Sequence, residues 1–418
     1  MSCHRWYLPE FRAKLARPWV HILFGARQTG KSTLIDLVAP PDAIRLDLSH
    51  PGERARLAAR PEEFVDLCEA LPARSSAWTI IVDEAQAVPA LFDAVQHLFD
   101  RDRTRWRFIL CGSSARKLRR SGANLLPGRS FLHRLWPLTL SEQPPAPRMG
   151  ETKGAVLTPL PFPPTHDAEG RGPFPSFDLE TRLAVGALPG IVLAEAEDRA
   201  ELLASYVTAY LEEEIRREAA VKDWGAFLRF LQFAAQASGE IINHSSIARE
   251  AGVSVPTVKN YYQLLEDMFI GIHLPAFTSS PRKNLLTSPR FLFFDLGVRH
   301  AAAGLPPSRE TVLANPGPLF EQFVGLELWR RLQYLGRGRL LFLRSADGAE
   351  IDYVIEDGER LIPIEVKWTE RPGGSDTRHL RRFLADHPGR AETGWVICRC
   401  PRPLRLAENI LAIPWQML

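Results

Sequence analysis

Short apolar runs and helical periodicity alternate over residues 20–140. Val20-His21-Ile22-Leu23-Phe24 is the first run, and Ala43 to Leu48, Trp78 to Val82 and Arg107 to Cys111 follow. These runs are nearly continuous in apolar side chains, as strands covered on both faces are, so a parallel sheet between helices is expected. Leu91 to Phe99 repeats its apolar positions at helical spacing and reads as one covering helix. From about Ser141 to Pro175 the pattern gives way to proline, glycine and charge, the composition of a linker or insertion. Helical periodicity returns at Leu179 and holds to about Met268, and residues 317–418 read as a helix, three strands, then a helix and a strand. A chain of 418 residues is long for one core, so the expected units are 1–140, a linker at 141–178, a helical unit at 179–310 and a C-terminal α/β unit at 311–418.

The turn after the first run carries chemistry. Gly25-Ala26-Arg27-Gln28-Thr29-Gly30-Lys31-Ser32-Thr33 has the G-x-x-x-x-G-K-S spacing of a phosphate-cradling loop, with a helix-compatible stretch behind it. Its glycines let backbone N–H groups turn toward phosphate oxygens, and the helix that follows offers its positive end. Lys31 is expected on the β- and γ-phosphates of ATP, and Ser32 on magnesium. Ile80-Ile81-Val82-Asp83-Glu84 is an apolar strand ending in two carboxylates. Asp83 is the second candidate for magnesium, and Glu84 for activating the attacking water. Cys111-Gly112-Ser113-Ser114 ends another strand, with Ser113 or Ser114 as a polar sensor of the γ-phosphate. Arg116, Arg119 and Arg129 lie beyond it, and one of them, Arg129 foremost, is a candidate arginine finger within the subunit or across a subunit boundary.

Ile241 to Phe269 has a helix-turn-helix pattern. Ser245 to Ala251 fits a short helix, Gly252-Val253-Ser254 the turn, and Ser254 the next N-cap. Val258, Tyr261, Leu265 and Met268 then recur as core positions. That spacing leaves Thr257, Lys259, Asn260 and Gln263 on the outer face, where a DNA-reading helix meets the major groove. A wing carrying Arg282, Lys283 and Arg290 is expected to follow. The second helix is not strongly basic, so a protein contact is an equal expectation.

In the C-terminal unit, Ala349 to Ile355 and Leu361 to Trp368 flank a turn at Asp357-Gly358. Glu350 and Asp352 share one strand face, as do Glu365 and Lys367. A hairpin would gather Asp352, Glu365 and Lys367, with the carboxylates on magnesium or manganese and the lysine positioning a water, the equipment of a nuclease. Glu321, on the helix opening at Gly317, is a further ligand candidate, and Glu327 a weaker one. Arg378, Arg381 and Arg382 form a basic helix suited to a phosphate backbone.

Composition narrows the picture little. Net charge is +3, so no global field demands a nucleic-acid partner. Only eight residues are lysines, yet Lys31 and Lys367 fall inside the two motifs. Cys3, Cys68, Cys111, Cys398 and Cys400 are scattered without the spacing of a zinc knuckle. The N-terminus lacks an apolar signal core and no run reaches membrane-spanning length, so a cytoplasmic protein without a membrane partner is expected.

Taken in order, these pieces resemble a large prokaryotic family of AAA-type P-loop ATPases with a C-terminal domain of unknown function. The resemblance is carried by Gly25 to Thr33 (Walker A), Val82 to Gln86 (Walker B), Gly112-Ser113-Ser114, Pro127-Gly128-Arg129 and Tyr206 to Ile215. It continues through the helix-turn-helix, Phe293 to Gly297, Gly317 to Glu321, Glu350-Ile351-Asp352 and Ile364 to Lys367. It implies an α/β chain: a P-loop NTPase parallel sheet, a winged-helix region, and a C-terminal domain of restriction-endonuclease-like, PD-(D/E)XK fold. It implies an ATPase whose client is mostly unassigned; the co-occurrence of the two motifs adds the expectation that ATP hydrolysis is coupled to DNA binding or remodelling, in a protein that can oligomerise. Two other outcomes stay open: a magnesium-dependent nuclease regulated by ATP, and a nucleotide-dependent switch with an inactive nuclease-like domain that binds another protein through the winged helix.

Overall fold

A computed structural model of the chain describes residues 3–114, 126–145, 172–217, 221, 223–278, 288–344 and 348–418, with backbone alone at 214, 216 and 217. The four apolar runs are strands: β1 (Val20–Phe24), β2 (Ile44–Asp47), β3 (Trp78–Asp83) and β4 (Trp106–Gly112). With β5 (Ser130–Arg134) they make an all-parallel sheet of order β2-β3-β4-β1-β5. Every residue of β1 is buried, as a central strand between helices requires. The periodicity did not indicate β5. It lies at the sheet edge with Leu132 exposed, so its apolar run is broken.

Helices α1 (Leu8–Leu15), α2 (Lys31–Asp36), α3 (Pro51–Ala59), α4 (Glu62–Glu69) and α5 (Leu91–Arg101) accompany this sheet. The α5 positions Leu91, Phe92, Val95, Leu98 and Phe99 are buried at helical spacing. Because β3, β4 and β1 are adjacent and parallel, their carboxyl ends open on one edge. Parallel sheets bind ligands at such an edge, where the strand order reverses.

The middle of the chain is helical. α6 (Leu179–Val185), α7 (Pro189–Leu193) and α8 (Arg199–Ser205) lead into a π-helical turn at Tyr206–Leu211 and α9 (Glu212–Arg217). α10 (Trp224–Gln236), α11 (His244–Ala251) and α12 (Val255–Asp267) precede an antiparallel hairpin, β6 (Gly271–Leu274) with β7 (Arg290–Phe293). The helix-turn-helix forms as its sequence dictates. Asn243 Oδ1 accepts from Ser246 N–H at 3.0 Å, Gly252 takes φ +73°, and Ser254 Oγ accepts from Thr257 N–H at 3.3 Å. Val258, Tyr261, Leu265 and Met268 are buried.

α13 (Leu296–Ala302), α14 (Arg309–Ala314) and the long α15 (Pro316–Leu335) lead to a second, mixed sheet. Its strands are β8 (Arg339–Arg344), β9 (Glu350–Asp357), β10 (Arg360–Lys367), β11 (Gly394–Cys398), β12 (Leu404–Ala407) and β13 (Ile410–Pro414), in the order β12-β13-β11-β10-β9-β8. α16 (Arg378–Asp386) lies between β10 and β11 in sequence. The hairpin β12–β13 adds to the strands anticipated here; both are short, and β12 mixes arginine with leucine. Tyr353, Ile355, Ile362 and Ile364 pack in one apolar cluster with Leu319, Phe320 and Val324 of α15. Val354, Leu361 and Val396 pack with Leu380 and Phe383 of α16 in another. The sheet is therefore covered on both faces.

α15 also docks onto the N-terminal sheet. Phe24 stacks on Phe269, Phe269 meets Trp136 edge-on, and Trp136 meets Trp329 of α15 at a centroid distance of 4.5 Å. Buried polar groups fix the same contact. Both Glu327 oxygens accept from Leu140 N–H at 3.0 Å, Arg330 donates to Leu138 O at 2.9 Å, and Trp136 N–H donates to the Tyr334 hydroxyl at 3.0 Å.

Candidate functional site

The first site is built at the end of β1. Gln28 (φ +60°) and Gly30 (φ +89°) both take left-handed backbone, so the turn from Gly25 to Gly30 folds into a concave nest before α2 begins at Lys31. Thr29 Oγ1 donates to Ala26 O at 2.9 Å and pins the turn. Lys31 lies inside it, donating to Gly25 O at 2.8 Å and Ala26 O at 3.0 Å. Its ammonium thus sits on its own loop carbonyls, in reach of an anion entering the nest. Ser32 and Thr33 are exposed on the first turn of α2.

The end of β3 faces that helix. Ser32 Oγ donates to Asp83 Oδ2 at 3.2 Å, bringing together the two residues expected on magnesium. Asp83 Oδ1 accepts from Glu84 N–H at 2.9 Å and the Cys111 thiol at 2.8 Å. Burial and the neighbouring Asp83 carboxylate push the Cys111 thiol well up, so it stays a neutral donor. Glu84 stands in left-handed backbone (φ +52°), an uncommon conformation for a side-chain-bearing residue. Its Oε2 accepts from Ser113 Oγ at 3.1 Å and from Gln86 Nε2. The donor set suits magnesium–ATP: a nest, an ammonium, a hydroxyl and a carboxylate converge from β1, β3 and β4.

Two contributors escaped the sequence reading. Buried Arg5 donates to Thr29 O at 2.5 Å, Trp136 O at 2.7 Å and Glu142 Oε1 at 2.6 Å, clamping the loop from behind. Burial is the largest influence and opposes its charge, but Glu142 and Tyr334 together outweigh it and raise its pKa. No local pattern marks Arg5, because its partners lie far away in the chain. The π-helical turn gives the other contact. Tyr206 OH donates to Arg27 O at 3.3 Å, and the Arg27 guanidinium lies 5.6 Å from the Tyr210 ring centroid. Insertions of this kind often mark functional sites.

Arg129 is a correction for the arrangement within one subunit. It precedes β5, whose Ser130 pairs with Val20 at the start of β1. The phosphate loop follows the other end of β1, about 13 Å away by strand rise. Arg129 Nε is paired with Asp100 at 2.7 Å and does not reach its own subunit's nucleotide loop. Arg116, Arg119, Arg282, Lys283 and most of the proline-rich stretch lie outside the described residues.

The second site lies on β9 and β10. Tyr353 pairs with Ile364, so the next pair sets Asp352 opposite Glu365, on one face with Lys367. Asp352 and Glu365 are buried. Asp352 Oδ2 accepts from Val366 N–H at 2.7 Å, and Lys367 Nζ donates to Glu365 Oε1 at 2.5 Å. Glu321 reaches in from α15. Burial and the Asp352 charge push Glu365 up to about 8 and Glu321 up to about 7. Asp352 is raised too, chiefly by burial.

Arg290 is the unexpected member. It belongs not to an exposed wing tip but to β7, and it is buried. It pairs with Glu321 at 2.5 Å and Glu350 at 2.7 Å. Among the described residues no group of three or more Asp, Glu, His or Cys is gathered closely enough to hold a metal ion. Glu321 is drawn to Arg290, Asp352 to the backbone and Glu365 to Lys367, so the three-carboxylate ligand set expected here is not assembled. Glu327 is a further correction, since it is spent on Leu140 N–H and Arg331. A cleft of about 690 Å³, lined in part by Ser238, Glu240, Arg290, Glu321, Arg344 and Glu350, opens beside this cluster.

On α12, Lys259, Asn260 and Gln263 are exposed and Thr257 half-buried. The helix ends in Glu266 and Asp267, both bonded by Gln263, so its outer face is not basic. No described helix is long and apolar enough to cross a membrane.

Comparison with known proteins matches three stretches of the chain to families. Residues 18–143 match the family described as AAA domain. Residues 176–309 match a domain of unknown function (DUF8612), and residues 316–418 another (DUF4143). An uncharacterized protein of Mycobacterium tuberculosis is 27% identical over 381 residues, covering 90% of this chain and 76% of that protein. One of Haemophilus influenzae is 23% identical over 380 residues, covering 87% and 86%. Among solved structures, a STAND (Signal Transduction ATPase with Numerous Domains) protein with a tetratricopeptide repeat sensor from Pyrococcus horikoshii aligns at 11% identity. The match covers 80% of this chain and 48% of that one, with a TM-score of 0.23. The Bacillus subtilis DNA clamp loader delta protein aligns at 11% identity over 79% and 99%, with a TM-score of 0.24. Neither score is high enough to carry an argument. The family matches, with the five-stranded parallel sheet and its phosphate loop, give the assignment: the chain carries an AAA-type P-loop domain followed by two domains of unknown function.

Proposed function

We propose that this protein hydrolyses ATP and uses the turnover to change how its C-terminal domain grips nucleic acid. The observation that carries the first half is the convergence of Lys31, Ser32, Asp83, Glu84 and Ser113 from three strand ends on one crevice. Lys31 and the backbone of Gly25 to Gly30 hold the β- and γ-phosphates. Ser32 and Asp83 hold magnesium, which neutralises charge on the transferring phosphoryl group when bound. Glu84 takes the proton of the attacking water, and Ser113 stands beside the γ-phosphate. Arg129 serves as a finger only toward a neighbouring copy.

The docking of α15 supports the coupling half. One end of that helix is buried against the segment at 135–140 that follows β5, and the other carries Glu321 into the C-terminal cluster. Residues 367–405 hold nine Lys and Arg against four Asp and Glu, while the whole chain has a net charge of only +3. Arg378, Arg381 and Arg382 are exposed there on α16. This favours a phosphate-backbone contact at the C-terminal domain over sequence reading by α12. Fluorescence anisotropy with single-stranded, duplex and branched DNA, at several salt concentrations and with ATP analogue or ADP bound, tests the coupling. Salt-dependent binding that differs between the nucleotide states is expected. Equal affinity in both states for every DNA would refute the coupling, and no DNA binding would favour a protein-binding switch.

The opposed positions of Asp352 and Glu365 beside Lys367 favour a second reading, a nuclease using magnesium or manganese. Asp352 and Glu365 would hold the cation, with Glu321 joining once released by Arg290. Asp352→Ala should then abolish cleavage while sparing ATP hydrolysis. Cleavage that survives this change would argue against the reading.

A further inference from the structure

We infer that Gln86 positions the Glu84 carboxylate for proton abstraction, so that Gln86, Glu84 and Ser113 act as one unit. The inference deepens the ATPase reading above and rests on it. Gln86 lies on the single 3-10 turn Ala85–Ala87 that follows β3, closed by Ala87 N–H donating to Glu84 O at 2.8 Å. From there its amide nitrogen donates both to Glu84 Oε2 and, at 3.1 Å, to Ser113 Oγ. Ser113 Oγ in turn donates to the same Glu84 oxygen at 3.1 Å. Three side chains from two strand ends thus close a hydrogen-bonded triangle.

Geometry and chemistry assign the role. Both donors meet one carboxylate oxygen, which fixes the rotation of the group about its last bond. Both are neutral donors, an amide N–H and a hydroxyl. Gln86 is 6% exposed, and its own carbonyl oxygen has no hydrogen-bond partner. That oxygen cannot exchange places with the nitrogen, since it would then face the Glu84 carboxylate. The room for this side chain comes from Gly112 at the end of β4. A Cβ there would lie 2.1 Å from Gln86 Oε1. The glycine between Cys111 and Ser113 is therefore explained by Gln86, whose amide occupies that space. Gln86 touches no reacting atom in this arrangement and acts through Glu84.

The test is steady-state ATP hydrolysis by the full chain with magnesium. It compares wild type, Gln86→Leu, Gly112→Ala, Glu84→Gln and the Gln86→Leu/Glu84→Gln double variant, with binding of a fluorescent ATP analogue measured for each. Gln86→Leu keeps the bulk and removes the donor; Gly112→Ala keeps the donor and displaces it. Each should lower kcat by about 10- to 100-fold, the usual cost of losing an outer-shell partner, with analogue affinity within about twofold of wild type. In the Glu84→Gln background, Gln86→Leu should add little. The inference is overturned if Gln86→Leu keeps the wild-type kcat, or if its effect adds in full to that of Glu84→Gln. Wild-type turnover no higher than that of Lys31→Ala would instead remove the ATPase reading, and the inference with it.

Discussion

Among the described residues, Asp83 and Glu84, in the N-terminal crevice, accept hydrogen bonds from Ser32, Cys111, Gln86, Ser113 and a backbone N–H. Glu321, Asp352 and Glu365, in the C-terminal sheet, lie within one another's field, with Arg290 and Lys367 as counter-charges. The first arrangement orients carboxylates before any cation arrives, and cation binding there asks for little reorganisation. The second raises the pKa of its acids and engages them with cationic side chains, so a divalent ion must displace protons and an arginine to bind. Two acidic sites in one chain thus stand at different degrees of readiness. The proposed ATPase site is preorganised, and the carboxylates of the proposed metal site are engaged by cationic side chains.

The sharpest way to break the comparison is to remove the base of the ready site. Glu84→Gln should lower ATP turnover by about 10²- to 10⁴-fold while sparing nucleotide binding. Unchanged turnover would assign proton abstraction elsewhere.

Opposite pH dependences come next. His21 and His133 are buried on β1 and β5 in a chain running from Tyr7 OH to His133 at 2.7 Å and from His133 to His21 at 3.0 Å. Burial lowers His21 to about 4 and His133 to about 3. Groups with depressed folded pKa values contribute stability above the unfolded value, near 6.5, and lose it as pH falls toward the folded values. The N-terminal sheet should therefore lose roughly 2–4 kcal/mol between pH 7 and pH 5. Hydrogen exchange of β1 amides at the two pH values checks this, and pH-independent protection would contradict it.

In the C-terminal sheet the sign reverses. Glu365 and Glu321 have folded pKa values raised above 4.5, so their contribution is fully present below 4.5 and fades as pH rises through about 7 to 8. Metal-free protein should lose roughly 1–3 kcal/mol of protection in β9 and β10 between pH 5 and pH 8, and manganese should restore it with release of protons. Arg290→Met should deepen the loss at pH 8 and tighten manganese binding, as read by isothermal titration. Weaker manganese binding in that variant would mean that Arg290 supports the site rather than closing it.

The smallest effect separates two candidate nucleic-acid surfaces. Lys259→Ala on α12 should leave duplex affinity within about twofold, whereas Arg378→Ala with Arg381→Ala should weaken it and flatten its salt dependence. The reverse ranking would return DNA contact to the helix-turn-helix.

Local features of both sites were legible in the sequence because each is written within a few residues. Gly25 to Ser32 needs only its own backbone and the helix behind it. Ser254 caps α12 through Thr257, and the β9–β10 turn at Gly358 sets Asp352 opposite Glu365. What stayed hidden depends on distant partners. Arg5 meets Glu142, Gln86 meets Ser113, and Arg290 crosses from the hairpin of the helical region into the C-terminal cluster. An arginine in a hairpin looks the same in sequence whether it points to solvent or into a carboxylate pair. The strands that went unseen, β5 and β12–β13, are short or at an edge, where one face meets solvent and the apolar run is lost.

Steady-state ATP hydrolysis by wild type, Lys31→Ala and Glu84→Gln, with magnesium and then with excess chelator, tests the central claim most directly. The account predicts magnesium-dependent turnover in the wild type, loss of nucleotide binding and turnover in Lys31→Ala, and retained binding without turnover in Glu84→Gln. Equal phosphate release from all three proteins would contradict it.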